Sequence, residues 1–227
     1  MPPGRSKAEL MEALVAEVAA CTRCPLHATR MNPVPGEGNL DATLMLIGEA
    51  PGRWEDLKGR PFVGAAGKLL DGLLASIGLR RDEVYIANVL KCRPPGNRDP
   101  RPEEVAACTP FLDRQITIIE PKVIVTLGRH STAYIFSKAG LPFKRISDVH
   151  GQVYRAEILG LEVHVIPTFH PASALYNPRL KALLEADFET IGRVVRGELE
   201  AEELPKAEAK AEEAAKRRRG TLDEFMG

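Results

Sequence analysis

"ATLMLIGEAPG", residues 42–52, is a short apolar run that breaks at Gly48 into a charged, turn-forming segment. A run this short, closed by Gly and Pro, reads as a strand buried on both faces. "EVYIANVLKC" (83–92) and "KVIVTLG" (122–128) repeat the pattern and read as two further strands. Helical stretches lie around and between them. "SKAELMEALVAEVAA" (6–20) has apolar residues at helical spacing behind a serine cap, and "AAGKLLDGLLASIG" (65–78) is closed by Gly78. "RPEEVAACTPFLDRQITIIE" (101–120) carries Pro102 and acidic residues where a helix should begin. A further helix is expected over about 129–138, a hairpin over 151–168 with its turn near Leu159 and Gly160, and a last helix over about 178–196. Buried strands alternating with helices predict a three-layer α/β/α sandwich around a mainly parallel central sheet.

The chain has 227 residues, of which 44% are hydrophobic and 27% charged, with a formal net charge of zero. That composition suits one soluble domain and argues against a uniformly basic protein that coats nucleic acid. No apolar run approaches the length of a membrane span, and "MPPGRSKAEL" is not followed by the apolar core of a secretory signal. The expectation is therefore an intracellular monomer in which cysteines stay reduced. Residues 1–197 read as the folded unit, and 198–219, rich in Ala, Glu and Lys, as a helical or disordered linker. Apolar residues return only in the final segment, 220–227.

Four cysteines are present: Cys21 and Cys24 in "CTRC", then Cys92 and Cys108 with fifteen residues between them. A C-x-x-C pair inside the cell favours metal binding, and this one follows a helix instead of sitting at the strand-to-helix turn of a redox motif. Spacing alone leaves tetrahedral zinc and an iron–sulfur cluster both open. A shared centre would pin the proline-rich loop between Cys92 and Cys108 at both ends and present Arg93, Arg98 and Arg101 to phosphates.

Three strands end in polar or glycine-rich segments, "GEAPGRWED" (48–56), "NVLKC" (88–92) and "TFHPASAL" (168–175). In open parallel sheets ligands bind at the carboxyl ends of strands, so these segments are expected to converge. Gly48 and Gly52 permit close backbone approach, Glu49 brings a carboxylate, Asn88 an amide and His170 an imidazole. Phe62, in a glycine-flanked loop, offers a ring on which a planar ligand can stack. "GAAGK" lacks the spacing and the Ser/Thr of a phosphate-binding P-loop. His27, His130, His150 and His164 have no motif context and read as structural or surface residues.

Taken in order, "CTRC", "GEAPGRWEDLKGRPFVGAAGKLLD" (48–71), "NVLKCRPPGNRDPRPEEVAAC" (88–108) and "FHPASALYNPRLK" (169–181) resemble the iron–sulfur uracil-DNA glycosylases of family 4. The resemblance covers roughly residues 6–195 and implies the uracil-DNA glycosylase fold. It also implies hydrolysis of the N-glycosidic bond of deoxyuridine in DNA, leaving an abasic site in base excision repair. A [4Fe-4S] cluster on Cys21, Cys24, Cys92 and Cys108 is implied by the family, not by spacing. On the same basis Phe62 stacks on the flipped base, Asn88 reads its O4 and N3–H, His170 donates to O2, and Glu49 holds the attacking water. Ala50 stands where other uracil glycosylase families carry an aspartate, and Gly52 where others carry a tyrosine that excludes thymine; Glu55 is the candidate to take over that exclusion. Ser173 and Leu175 are candidate DNA contacts, Leu175 as a wedge into the gap left by the base, while Tyr176 stands where an arginine is common. The final "RGTLDEFMG" (219–227) resembles a sliding-clamp-binding peptide through Leu222, Phe225 and Met226, with Arg219 in place of the usual glutamine.

Overall fold

The computed structural model describes residues 4–199. The helices are α1 (Lys7–Ala19), α2 (Arg53–Lys58), α3 (Ala65–Ser76), α4 (Pro102–Ile119), α5 (Arg129–Lys138), α6 (Pro171–Ala174) and α7 (Pro178–Val195). The strands are β1 (Glu37–Gly38), β2 (Leu44–Gly48), β3 (Tyr85–Asn88), β4 (Val123–Leu127), β5 (Tyr154–Ile158) and β6 (Leu161–Thr168). They form one sheet in the order β1-β3-β2-β4-β6-β5. The inner four are parallel, and the short β1 and the hairpin strand β5 close the two edges antiparallel. The expected mainly parallel three-layer architecture is therefore found.

Strand β2 shows why the inner strands read as unbroken apolar runs. Met45 and Ile47 pack into one layer with Leu14 and Val18 of α1, Leu112 and Ile116 of α4, and Ile135 of α5. Leu44 and Leu46 point the other way, to Leu70 and Leu74 of α3 and to Leu184, Phe188 and Ile191 of α7. Both faces are covered, so no polar alternation survives. Each fully buried aliphatic or aromatic side chain here contributes about 1.5–3 kcal/mol.

Local signals account for the element ends. Ser6 caps α1 and exchanges hydrogen bonds with Glu9 in a capping box. Leu159 and Gly160 form the β5–β6 turn at φ 54° and 80°, the left-handed pair that a two-residue hairpin loop needs. Helices α2 and α6 and strand β1 have no signal in the sequence: at six, four and two residues they are too short to establish a periodicity. No helix among the described residues is long and apolar enough to cross a membrane.

Candidate active site and cysteine site

Because β3, β2, β4 and β6 run parallel, their carboxyl ends open on one edge of the sheet, with Gly48 of β2 beside Asn88 of β3. A cleft of about 290 Å³ lies there, lined among others by Glu49, Gly52, Glu55, Phe62, Asn88 and His170. The expected convergence of the three strand-end segments is present. Ala50 also lines the cleft, and Pro94, Asn97 and Arg98 of the loop after Cys92 contribute to its wall.

Asn88 is 2% exposed, and its Oδ1 is buried without a hydrogen-bond partner. A buried acceptor left unpaired costs about 1–3 kcal/mol, so its place in a cleft marks the site of a donor on a bound ligand. Gly48 makes room for it: a Cβ there would fall on Asn88 Oδ1 and lie 2.8 Å from the edge of the Phe62 ring. Gly48→Ala should keep the fold yet displace both groups, and a displacement of about 1 Å in a site can lower kcat/KM about 100-fold. Thermal unfolding together with steady-state kinetics checks this.

Phe62 has φ 50° and is buried. For a bulky side chain that conformation costs on the order of 1–3 kcal/mol and persists only when its surroundings enforce it. Arg81 supplies much of the enforcement. Its guanidinium donates to the carbonyls of Pro61 and Phe62 and pairs with Glu37 and Asp71. Helix α3 presses from the other side, where Gly67 leaves no space for a Cβ against the Phe62 carbonyl. Glu55 fastens the loop as well, one of its carboxylate oxygens accepting from Val63 N at 2.9 Å and Gly64 N at 3.1 Å. A Cβ at Gly52 would lie 2.7 Å from the other oxygen of Glu55.

His170 follows β6 and caps the short α6, its Nδ1 accepting from Ala172 N at 3.1 Å. That bond leaves the proton of the neutral ring on Nε2. Burial pushes the imidazole down to about 4, against an opposing pull from Glu55, so near neutral pH it is an uncharged donor. Its ring faces Phe62, with centroids 5.5 Å apart and planes 25° from parallel. Behind it, buried Asp187 accepts from Thr168 and His150 and braces the end of β6.

Glu49 is half-buried, and burial pushes its carboxyl up from the ordinary value while His130 and Arg129 pull it down and Asp99 pushes it further up. His130, which has no motif context in the sequence and reads there as structural or surface, stands with Nε2 3.8 Å from Glu49 and 3.4 Å from Asp99.

The four cysteines line a single small enclosure together with Arg23, Arg30, Lys91 and Phe111. Cys21 and Cys24 come from the segment just after α1, Cys92 from the segment after β3 and Cys108 from α4. Arg30 Nη1 donates to Cys92 Sγ and Lys91 N to Cys108 Sγ, each at 3.2 Å. N–H donors aimed at sulfur are the outer-shell partners that thiolate ligands use. Burial pushes the Cys108 thiol up to about 11 and also raises Cys92, against the pull of Lys91 and Arg30. Buried thiols of this kind ionise when a metal supplies the charge, so the donor set fits a metal centre. Lys91 joins this enclosure to the cleft. Its ammonium, 1% exposed, donates to Asn88 O at 2.8 Å and Gln115 Oε1 at 2.6 Å.

The residues expected at DNA are less uniform. Arg101 and Ser173 are exposed and Leu175 is half-buried, while the neighbouring Tyr176 is 95% exposed. Arg93 donates to Asn97. Arg98 is committed to the buried carboxylate of Glu104, bridging both oxygens at 2.5 and 2.9 Å. Leu222, Phe225 and Met226 lie outside the described residues.

The family model for the uracil DNA glycosylase superfamily matches residues 35–191. A type-4 uracil-DNA glycosylase from Sulfurisphaera tokodaii is 57% identical over 80% of this chain and 83% of its own length. One from Archaeoglobus fulgidus is 55% identical over 82% of this chain and 94% of its own. Among solved structures, SMUG2 from Pedobacter heparinus aligns with a TM-score of 0.50 at 8% identity, over 84% of this chain and 99% of that one. At that identity the likeness speaks for the fold alone.

Proposed function

The chain belongs to the type-4 uracil-DNA glycosylases, and from that premise we propose how its cleft and cysteine site serve the reaction. The enzyme excises uracil from DNA in base excision repair by hydrolysing the N-glycosidic bond, which frees the base and leaves an abasic site. The base must first leave the helical stack, at a cost of a few kcal/mol that is smallest where pairing is already weak. Once in the cleft it stacks against Phe62. Asn88 Oδ1 accepts from N3–H, and the amide nitrogen donates to O4. Cytosine reverses that order of donor and acceptor, and would leave Oδ1 facing an acceptor. The observation that carries the assignment is the partnerless Oδ1 of Asn88 in the cleft.

As the bond breaks, electrons move onto the base and negative charge gathers on O2. His170, neutral and protonated on Nε2, donates to that oxygen. A donor aimed at developing charge in a water-poor site is worth about 3 kcal/mol. The sugar becomes positively charged in character, and Glu49 holds the water that attacks it and accepts its proton. Gly48, Ala50 and Gly52 leave room for the ring. Glu55, which tethers the Phe62 loop, also bounds the space where a 5-methyl group would sit. Arg93 and Arg101 serve DNA phosphates, while Ser173 and Leu175 meet the strand beside the vacated base. Arg98 stiffens the loop through Glu104.

Cys21, Cys24, Cys92 and Cys108 are assigned to a [4Fe-4S] cluster, which when bound supplies a rigid crosslink between α1, the segment after β3 and α4. Replacement of Cys92 or Cys108 by alanine is expected to lower iron to well below four per chain and to expose the loop 93–107 to protease. Iron analysis and limited proteolysis of anaerobically purified protein report the result; full iron content in either variant removes that cysteine from the ligand set.

Residues 1–197 are assigned to the glycosylase domain, 198–219 to a linker and 220–227 to a clamp-binding peptide. The last two rest on the sequence alone.

The test of the function is an end-labelled oligonucleotide carrying one deoxyuridine, with cytosine and thymine controls. The expected result is release of free uracil from the first alone, with the strand intact until alkali is added. No release by cluster-loaded protein would overturn the assignment.

A further inference from the structure

Helix α5 begins immediately after β4, whose carboxyl end lies beside that of β2. This brings His130 within reach of Glu49. The ligating atoms of Glu49, Asp99 and His130 all lie within 4.8 Å of one another. They come from three different segments: the turn after β2, the cysteine-bounded loop and the first turn of α5. The Nε2 of His130 is buried and makes no hydrogen bond, yet it stands between the two carboxylates, 3.8 Å from Glu49 Oε2 and 3.4 Å from Asp99 Oδ1. Arg129 holds Asp99 from the far side through its guanidinium.

We propose that His130 and Asp99 are positioning residues for Glu49, the imidazole holding the carboxylate in the cleft and the loop carboxylate setting how strongly it does so. The proposal rests on the assignment of Glu49 to the attacking water and extends it to residues without a contact to the base.

The physical case is electrostatic. Two carboxylates this close repel each other, and the repulsion pushes the half-buried Glu49 toward taking up a proton, while Arg129 holds Asp99 ionised. An N–H of His130 between them relieves the repulsion and lets Glu49 remain ionised, which is the form that can accept a proton from water. The titratable and charged groups acting on Glu49 are His130, Asp99 and Arg129; nearby Arg98 is engaged by Glu104. His130 and Arg129 favour the ionised carboxylate and Asp99 opposes it. Loss of His130 and loss of Asp99 must therefore move the titration of Glu49 in opposite directions. A purely structural role for either residue would lower activity at every pH without that opposition.

The loop between Cys92 and Cys108 gains a second purpose on this reading. It carries Asp99 to His130 and Glu49, and it is held from within by Glu104, which accepts from Arg98 and from Arg101 N. A surface pair such as Arg129–Asp99 contributes little to stability, so its value lies in orientation.

The test is the pH profile of single-turnover uracil release by the iron-loaded protein and four variants, with chelator present and iron content and melting temperature recorded for each. For the unmodified enzyme the rate should rise along an acid limb and then level. In His130→Gln, which keeps a donor but cannot carry charge, the limb should move up by about half to one pH unit, so that the rate at a fixed pH below it falls roughly three- to tenfold. The plateau should stay within a few-fold, and KM should be unchanged. In Asp99→Asn the limb should move down. His130→Ala should lower the plateau as well, and the recovery in His130→Gln marks positioning. Limbs of both His130→Gln and Asp99→Asn that coincide with that of the unmodified enzyme would overturn the proposal. Glu49→Gln separates the two levels: an active Glu49→Gln enzyme removes the parent assignment, whereas an inactive one beside unmoved limbs leaves the assignment standing and removes only this inference.

Discussion

Asn88→Ala is expected to lower kcat/KM for uracil release by about three orders of magnitude, with the folded structure and iron content retained. The size follows from two losses that act together. The variant gives up the hydrogen bonds that orient the base, and it leaves the N3–H and O4 of a buried uracil without partners, the situation in which sites built on hydrogen bonds discriminate by factors of about 10⁴ or more. Retention of the fold is expected because Oδ1 of Asn88 makes no hydrogen bond that the protein would lose. The backbone oxygen that receives Lys91 remains. Single-turnover rates at saturating and subsaturating enzyme, with circular dichroism and iron analysis, measure this. A loss smaller than tenfold would mean that recognition lies elsewhere.

His170→Ala should lower kcat by about 10²–10³ with KM little changed, the signature of a donor whose bond strengthens only as charge develops. The pH dependence distinguishes this from a general acid. Since the imidazole titrates near 4, it stays neutral above about pH 5, and the ratio of parent to variant rates should be flat from pH 5.5 to 8. A true proton donor would give a ratio that falls as pH rises. Nitrogen chemical shifts should report Nδ1 unprotonated and Nε2 carrying hydrogen throughout that range. The same depressed value links pH to stability. Unfolded chain takes up a proton on this residue below its ordinary value of 6.5, and the folded chain refuses it down to about 4. Stability is thus complete above 6.5 and declines as pH falls through that window, and the decline should be shallower in His170→Ala.

How much of this was legible depended on where each side chain drew its support. The sheet was legible because β2, β3 and β4 are covered on both faces, and a doubly covered strand writes its burial into four or five consecutive letters. Glu49, Asn88 and His170 were legible because each stands at, or within two residues of, the end of a buried strand, and Phe62 because glycines flank it. His130 obeys the same rule, since it follows the buried β4 by two residues past Gly128. It was passed over for want of a motif, although the parallel sheet sets that end next to Glu49. Arg81 gave no signal, as its reach to the carbonyls of Pro61 and Phe62 spans 20 and 19 residues of chain. Nor could charge alone tell Arg98 from Arg101. The first turns inward to the buried Glu104, whereas the second stays exposed. Lys91 reads in the sequence only as part of a strand end, and its burial against Asn88 and Gln115 emerges from packing.

If the ends of β2, β3 and β6 form one uracil-reading site, a crystal structure of the protein with free uracil will show the base against Phe62, its N3–H on Asn88 Oδ1 and its O2 at His170 Nε2. Uracil bound away from Asn88, or with a carbonyl oxygen facing Oδ1, would mean that these strand ends do not read the base.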